Sequence, residues 1–173
     1  MVCWSVWTAV KILFVCLGNI CRSPTVEGVA RHLAHREVPQ LQLVFDSAGT
    51  ADYHIGVAPD LRSQRAAAQR GYDISELRAR QLQPADFLHF DLLLAMDEEN
   101  LAAMRALAPP GCAERAQLFL SYAPQVSRSA VPDPYCSGPE GFETVLDLAE
   151  HGSRALFVAV AAIIGRSADA GRG

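Results

Sequence analysis

The chain is nearly devoid of lysine. Lys11 is the single one among 173 residues, and the other fourteen cations are arginines. Nineteen acidic residues outnumber them, leaving a formal net charge of −4. Scattered arginines on a mildly acidic chain exclude a protein that coats nucleic acid, though not one that holds an anion in a local pocket. There is no C-x-x-C pair, and Cys16 and Cys21 have no histidine nearby, so a metal site has little basis. The five cysteines (3, 16, 21, 112 and 136) are odd in number in a chain that is not short. That argues against a disulfide framework and for a reducing cytoplasm. The G-x-x-x-x-G-K-[ST] motif is missing, which excludes a nucleotide-type phosphate loop. Long apolar runs are missing too. Residues 1–10 lack a basic start, and Lys11 interrupts the run, so neither a signal peptide nor a membrane span fits. Ala155 to Gly165 reads as a short apolar helix at most. No internal repeat or linker divides the chain.

Half the residues are hydrophobic and a fifth are charged, so the chain folds, and its length suffices for one core without staples. Ile12 to Val15 is a buried strand. After it, Ser23 suits a helix cap and Pro24 the first turn of a helix over Thr25 to Arg36, with Val26, Val29, Ala30 and Leu33 facing inward. Leu41 to Phe45 reads as a second strand and Pro59 to Arg70 as a helix stopped by Gly71. Asp91 to Met96 is a third strand, and Asp97 caps a helix through Leu107. Gln117 to Leu120 is a short fourth strand. Gly141 to Ile164 is a long amphipathic helix with Phe142, Val145, Leu146, Leu148 or Ala149, and Leu156 inward, and a weak point at Gly152-Ser153. The alternation predicts an α/β fold: a three-layer sandwich with a four-stranded, mostly parallel central sheet flanked by helices. Ligands in such folds sit at the carboxyl ends of the strands, where Cys16 lies.

The segment 12–36 is a strand, a tight loop and a helix start. Backbone N–H groups of Leu17, Gly18, Asn19, Ile20, Cys21 and Arg22 can converge there, aided by the helix dipole. Gly18 admits a backbone that a side chain would oppose. Arg22 supplies a planar fork matched to two phosphate oxygens. Such a loop binds a tetrahedral oxyanion. A Cys16 thiol placed under it has its thiolate stabilised and is suited to in-line attack on phosphorus, giving a phosphocysteine. A leaving phenolate then needs a proton. Asp133, fixed between Pro132 and Pro134, is the candidate acid, although an ordinary proline-rich turn reads equally well from these residues alone.

Val15-Cys16-Leu17-Gly18-Asn19-Ile20-Cys21-Arg22-Ser23-Pro24 resembles the signature loop of the low-molecular-weight protein tyrosine phosphatases, and Asp133-Pro134-Tyr135 resembles their acid loop. Segments 46–50, 79–81, 95–101 and 141–145 match as well, in order, and the likeness spans about residues 11–165. The resemblance implies phosphotyrosine hydrolysis without cofactor or metal. It makes Cys16 the nucleophile, Arg22 the phosphate clamp and Asp133 the general acid, then base. Ser23 would donate to the Cys16 thiolate, and Asn19, backed by Ser47, would hold the loop. Tyr53 and Tyr135 would wall the cleft, and Cys21 would form a protective disulfide with Cys16.

The sequence departs from the family at Leu77, where several members have a histidine, and at Cys136, where animal members often have a second tyrosine. Pro132 stiffens the acid loop. Two rivals share the fold: a thiol-coupled arsenate reductase and a protein-arginine phosphatase. The first is disfavoured by the absence of cysteine over 77–95, the second by Ile20 and Tyr135. A non-catalytic binding module would lack Cys16 or Asp133. The expected partners are phosphotyrosine proteins, such as a bacterial tyrosine autokinase, with inorganic phosphate as product. Nucleic acid and membrane are not expected, and the chain is read as a monomer or weak homodimer. Residues 1–10 read as a leader in which Cys3, Trp4 and Trp7 pack on the sheet edge or mark a start-site artefact. Residues 11–165 form the phosphatase domain, and 166–173 a frayed tail.

Overall fold

β1 (Val10–Cys16) is the organising strand. Ile12, Leu13, Phe14 and Val15 are all fully buried, as expected of a strand covered on both faces. It pairs in parallel with β2 (Leu43–Gly49) on one side and β3 (Leu92–Ala95) on the other, and β4 (Ala116–Leu118) lies outside β3. The sheet order is β2-β1-β3-β4 and every pairing is parallel. This computed structural model describes residues 9–170, with side chains through Arg166. Residues 1–8, including Cys3, Trp4 and Trp7, lie outside the described residues, as do 171–173.

Side chains alternate across the sheet, so β1 feeds two cores. Ile12 and Phe14 pack with α1 (Arg22–Glu37), α2 (Leu61–Gln69) and α5 (Pro139–Ala170). Leu13 and Val15 pack with α3 (Asp86–His89) and α4 (Glu98–Leu107). That is the three-layer sandwich the sequence predicts. The inward residues expected for α1 and α5 are all buried.

The boundaries move for identifiable reasons. β2 runs to Gly49 instead of stopping at Phe45, because the hydroxyl of Ser47 has buried partners inside the domain. β1 begins at Val10, which the sequence reading left in the leader. α1 starts at Arg22, and Ser23 does not cap it: its hydroxyl turns inward, towards Cys16 and Asn19. Asp60 caps α2 by accepting from Arg62 N at 2.8 Å, and Asp97 caps α4 by accepting from Asn100 N at 2.7 Å. β4 ends at Leu118, and Phe119–Tyr122 is a 3-10 turn. Phe119 and Leu120 are adjacent and both buried, which a one-sided strand face cannot provide but a turn can. The four-residue α3 has no counterpart in the sequence reading.

α5 is longer than the sequence suggests and runs to Ala170. By length and composition 139–166 would suffice to cross a membrane, contrary to the reading that no later stretch does. Phe142, Val145, Leu146, Ala149, Leu156, Phe157 and Val160 are nonetheless buried in the domain core, which accounts for part of that apolarity. Gly152 is not a weak point in this helix. A Cβ there would stand 2.6 Å from Phe119 Cε1, so glycine is what lets the helix approach the turn after β4. We expect Gly152→Ala to lower stability by about 1–3 kcal/mol through overpacking. Urea denaturation reads this as a lower midpoint, and an unchanged midpoint would contradict the packing account.

Candidate active site

The loop 17–21 joins the end of β1 to the start of α1 at the carboxyl edge of the sheet. Its hub is Asn19, the sole non-glycine residue with positive φ among the described residues (54°). Asparagine tolerates the left-handed region better than most residues. Here its side chain also fixes that conformation. Asn19 Nδ2 donates to Ser23 Oγ and to Ser47 Oγ, both at 2.9 Å, and Oδ1 accepts from Arg80 N at 2.9 Å. The turn aims its backbone N–H at Cys16 Sγ, 3.3 Å away. Ser23 Oγ lies 3.1 Å from the same sulfur. Cys16 is thus a buried thiol with two polar neighbours suited to a thiolate.

Two further segments close on the loop from behind. Thr50 N and Ala51 N donate to the carbonyls of Cys16 and Leu17 at 2.9 and 3.0 Å. Gly49 must be glycine, since a Cβ there would stand 2.7 Å from Leu17 O. Gly49 N donates in turn to Arg80 O at 2.8 Å. The motifs at 46–50 and 79–81, far apart in sequence, therefore form one cradle around Asn19. Beneath them Ser47 Oγ donates to Glu27 Oε2 at 2.6 Å, and Arg31 pairs with the other oxygen of that carboxylate. Burial pushes the Glu27 carboxyl above its ordinary range, against the pull of Ser47 and Arg31.

Arg22 is buried and faces carboxylates on two sides. Nη1 pairs with Asp97 and donates to Val131 O at 3.3 Å, and Nη2 donates to Asp133 Oδ2 at 3.0 Å. Burial alone would lower its ionisation, but Cys16, Asp97 and Asp133 outweigh it and hold the guanidinium above its ordinary value. The fork that the sequence assigns to phosphate oxygens is thus engaged by acids in this structure. Asp133 Oδ1 accepts from Tyr135 N at 3.0 Å, closing a tight turn around Pro134.

A cleft of about 390 Å³ opens above the loop. It brings together Cys16, Leu17, Gly18, Ile20, Cys21, Arg22, Tyr53, Asp133 and Tyr135, all named from the sequence. Asn19 and Ser23 sit behind it, buried. Tyr53 and Tyr135 are exposed on its rim. His54 and Cys136 also line it. Burial pushes the Cys21 thiol up to about 12, so it stays protonated at neutral pH. Leu77, where the resemblance expects a histidine, packs half-buried against the core. Sequence reasoning missed Glu27, His54, Arg80 and the pairing of Asp97 with Arg22. Arg80 and Asp97 fall in the matched segments 79–81 and 95–101 but were given no such role there, and Glu27 had a local signal: a carboxylate on the inward face of α1, four residues before Arg31. Among the described residues no cluster of three or more His, Cys, Asp or Glu could hold a metal. Cys16, Cys21, Cys112 and Cys136 are free thiols.

The arrangement sets a thiol, a buried guanidinium and a carboxylate around one cleft of about 390 Å³. The chain as a whole is similar to known proteins. Residues 11–165 match the family model for low molecular weight phosphotyrosine protein phosphatase. The low molecular weight protein-tyrosine-phosphatase of Streptomyces coelicolor is 40% identical over 87% of this chain and 93% of its own. A protein tyrosine phosphatase from Entamoeba histolytica, solved with Hepes in its active site, superposes with a TM-score of 0.83 at 33% identity, over 88% of this chain and 97% of its own. Vibrio vulnificus Wzb, solved in complex with benzylphosphonate, does so with a TM-score of 0.75 at 30% identity, over 86% and 97%. This chain belongs to the low molecular weight phosphotyrosine protein phosphatase family, a family of hydrolases acting on phosphoproteins.

Proposed function

We propose that Cys16 is the nucleophile, Arg22 the phosphate clamp and Asp133 the proton donor in the hydrolysis of protein phosphotyrosine. One observation carries this reading: Cys16, Arg22 and Asp133 line the same cleft, with the Ser23 hydroxyl 3.1 Å from the sulfur. The Cys16 thiolate attacks phosphorus in line with the tyrosyl oxygen. An S–P bond forms as the P–O bond breaks, and Asp133 passes its proton to the departing oxygen. Water then attacks the phosphocysteine, Asp133 takes the proton, and the thiolate leaves toward the Ser23 hydroxyl while orthophosphate is released. Each charge and proton is assigned to a side chain or loop amide, so the scheme is metal-independent.

The resting contact between Arg22 and Asp133 has a role in this scheme. A phosphate dianion entering the loop competes for the Arg22 donors. As it takes them, Asp133 is released from Arg22 and can turn to the departing oxygen. Tyr53 and Tyr135 would stack on the ring of phosphotyrosine, and the depth of the loop disfavours the shorter phosphoserine. The benzylphosphonate held by Vibrio vulnificus Wzb joins an aromatic ring to tetrahedral phosphorus, the same pair of features. A bacterial tyrosine autokinase is a fitting substrate protein, and the need for a reduced thiol suits the cytoplasm. Cys21, in the same cleft, would condense with a peroxide-oxidised Cys16 to give a disulfide and water.

We expect Cys16→Ser to abolish turnover of a phosphotyrosine peptide while still binding orthophosphate, measured by steady-state kinetics and by calorimetry. Appreciable residual hydrolysis would sink the nucleophile assignment. Asp133→Ala should cut kcat by about 10²–10⁴-fold for aryl phosphates with poor leaving groups and much less for good ones. An equal loss across the series would remove Asp133 from the acid role.

A further inference from the structure

The turn that carries Asp133 is gripped from both sides by arginines, and only one of them belongs to the phosphate loop. Arg22 holds the near side, through Val131 O at 3.3 Å and Asp133 Oδ2 at 3.0 Å. On the far side Arg62 Nη1 donates to Tyr135 O at 2.9 Å. The Arg62 guanidinium also lies over two rings, 5.3 Å from the centroid of Tyr135 and 4.9 Å from that of Phe142 on α5. Tyr135 is the residue whose N–H fixes the Asp133 carboxylate, at 3.0 Å.

Arg62 is itself held in place. Asp60 takes Arg62 Nε at 3.0 Å and Nη2 at 2.8 Å in a two-pronged fork, and the same carboxylate caps α2. Asp60 N donates to Ile20 O at 2.8 Å, which ties this pair to the phosphate loop. A continuous series of contacts thus runs from Ile20 through Asp60, Arg62 and Tyr135 to Asp133, without passing through the reacting atoms. The Arg62 side chain is 45% exposed, and an ion pair at such a site adds little to stability. Its geometric effect is larger: it sets where the acid turn stands relative to the loop.

We propose that Arg62 is a positioning residue that aims Asp133 and the Tyr135 wall at substrate held over Cys16. The inference rests on Asp133 being the acid. It requires the planar fork of arginine, because lysine cannot grip Asp60 in two places and Tyr135 O at once.

The test compares Arg62→Ala, Arg62→Lys, Asp133→Ala and the Arg62→Ala/Asp133→Ala double variant on aryl phosphates of graded leaving-group quality. Orthophosphate inhibition is measured alongside. Arg62→Ala should lower kcat about tenfold for phosphotyrosine and by less than about threefold for p-nitrophenyl phosphate, with a raised KM for both, since misaimed groups lose rate steeply. Orthophosphate inhibition should be unchanged, because the tie to the loop runs through the Asp60 backbone N–H, which these variants keep. Arg62→Lys should recover little, and it serves as the folded variant if alanine impairs folding. In the Asp133→Ala background, removing Arg62 should change kcat hardly at all. If Asp133→Ala shows leaving-group dependence and neither Arg62 variant does, the positioning role is overturned and the acid reading stands. Full rescue by lysine, or a parallel loss of orthophosphate inhibition, overturns the positioning role too. If Asp133→Ala itself lacks that dependence, the acid reading fails and this inference with it.

Discussion

The site hangs on one left-handed residue. With φ at 54°, Asn19 turns the loop so that its N–H meets Cys16 Sγ at 3.3 Å, and its side chain reaches Ser23, Ser47 and the backbone of Arg80. Backbone bonds from Thr50, Ala51 and Asp60 hold the carbonyls of the loop, and the Asn19 amide braces its turn from within. Behind it Ser47 is fixed by buried Glu27, and Gly49 gives the loop room by carrying no side chain. A strained turn persists only when its surroundings over-determine it, and here three segments converge on it.

Charge balance is the second constraint. A buried guanidinium is costly unless paired, and Arg22 has Asp97 and Asp133 within reach while Cys16 stands close by. Asp97 is permanent, being also the cap of α4. Asp133 sits on a turn that bonds chiefly to itself and to two arginines. The donors of Arg22 are therefore engaged by two carboxylates in this structure.

Much of this was legible in the sequence, for reasons that can be named. β1 is an unbroken apolar run, α1 and α5 show helical periodicity, and Cys16 and Arg22 fall on either side of a strand-to-helix turn. Ser23 was misread as a cap because hydroxyls favour caps, but a sulfur and an amide compete for it here. β2 was cut short because Asp46 and Ser47 look like turn residues until Glu27 and Asn19 supply partners from other elements. Asp97 carried a visible local role and hid a long-range one, to Arg22, 75 residues away. Gly152 looked like a flaw in a helix until Phe119 appeared against it. In each case local chemistry was read correctly, and a partner distant in the chain changed its use.

The central claim is covalent: phosphorus passes through the sulfur of Cys16. Rapid acid quench of the reduced protein turning over a phosphotyrosine peptide, followed by mass spectrometry of its peptides, tests it most directly. The account predicts a phosphate-mass adduct on Cys16, appearing within the first turnover and disappearing once substrate is exhausted. Turnover at full rate with no adduct on Cys16, or with the adduct on another residue, would contradict it.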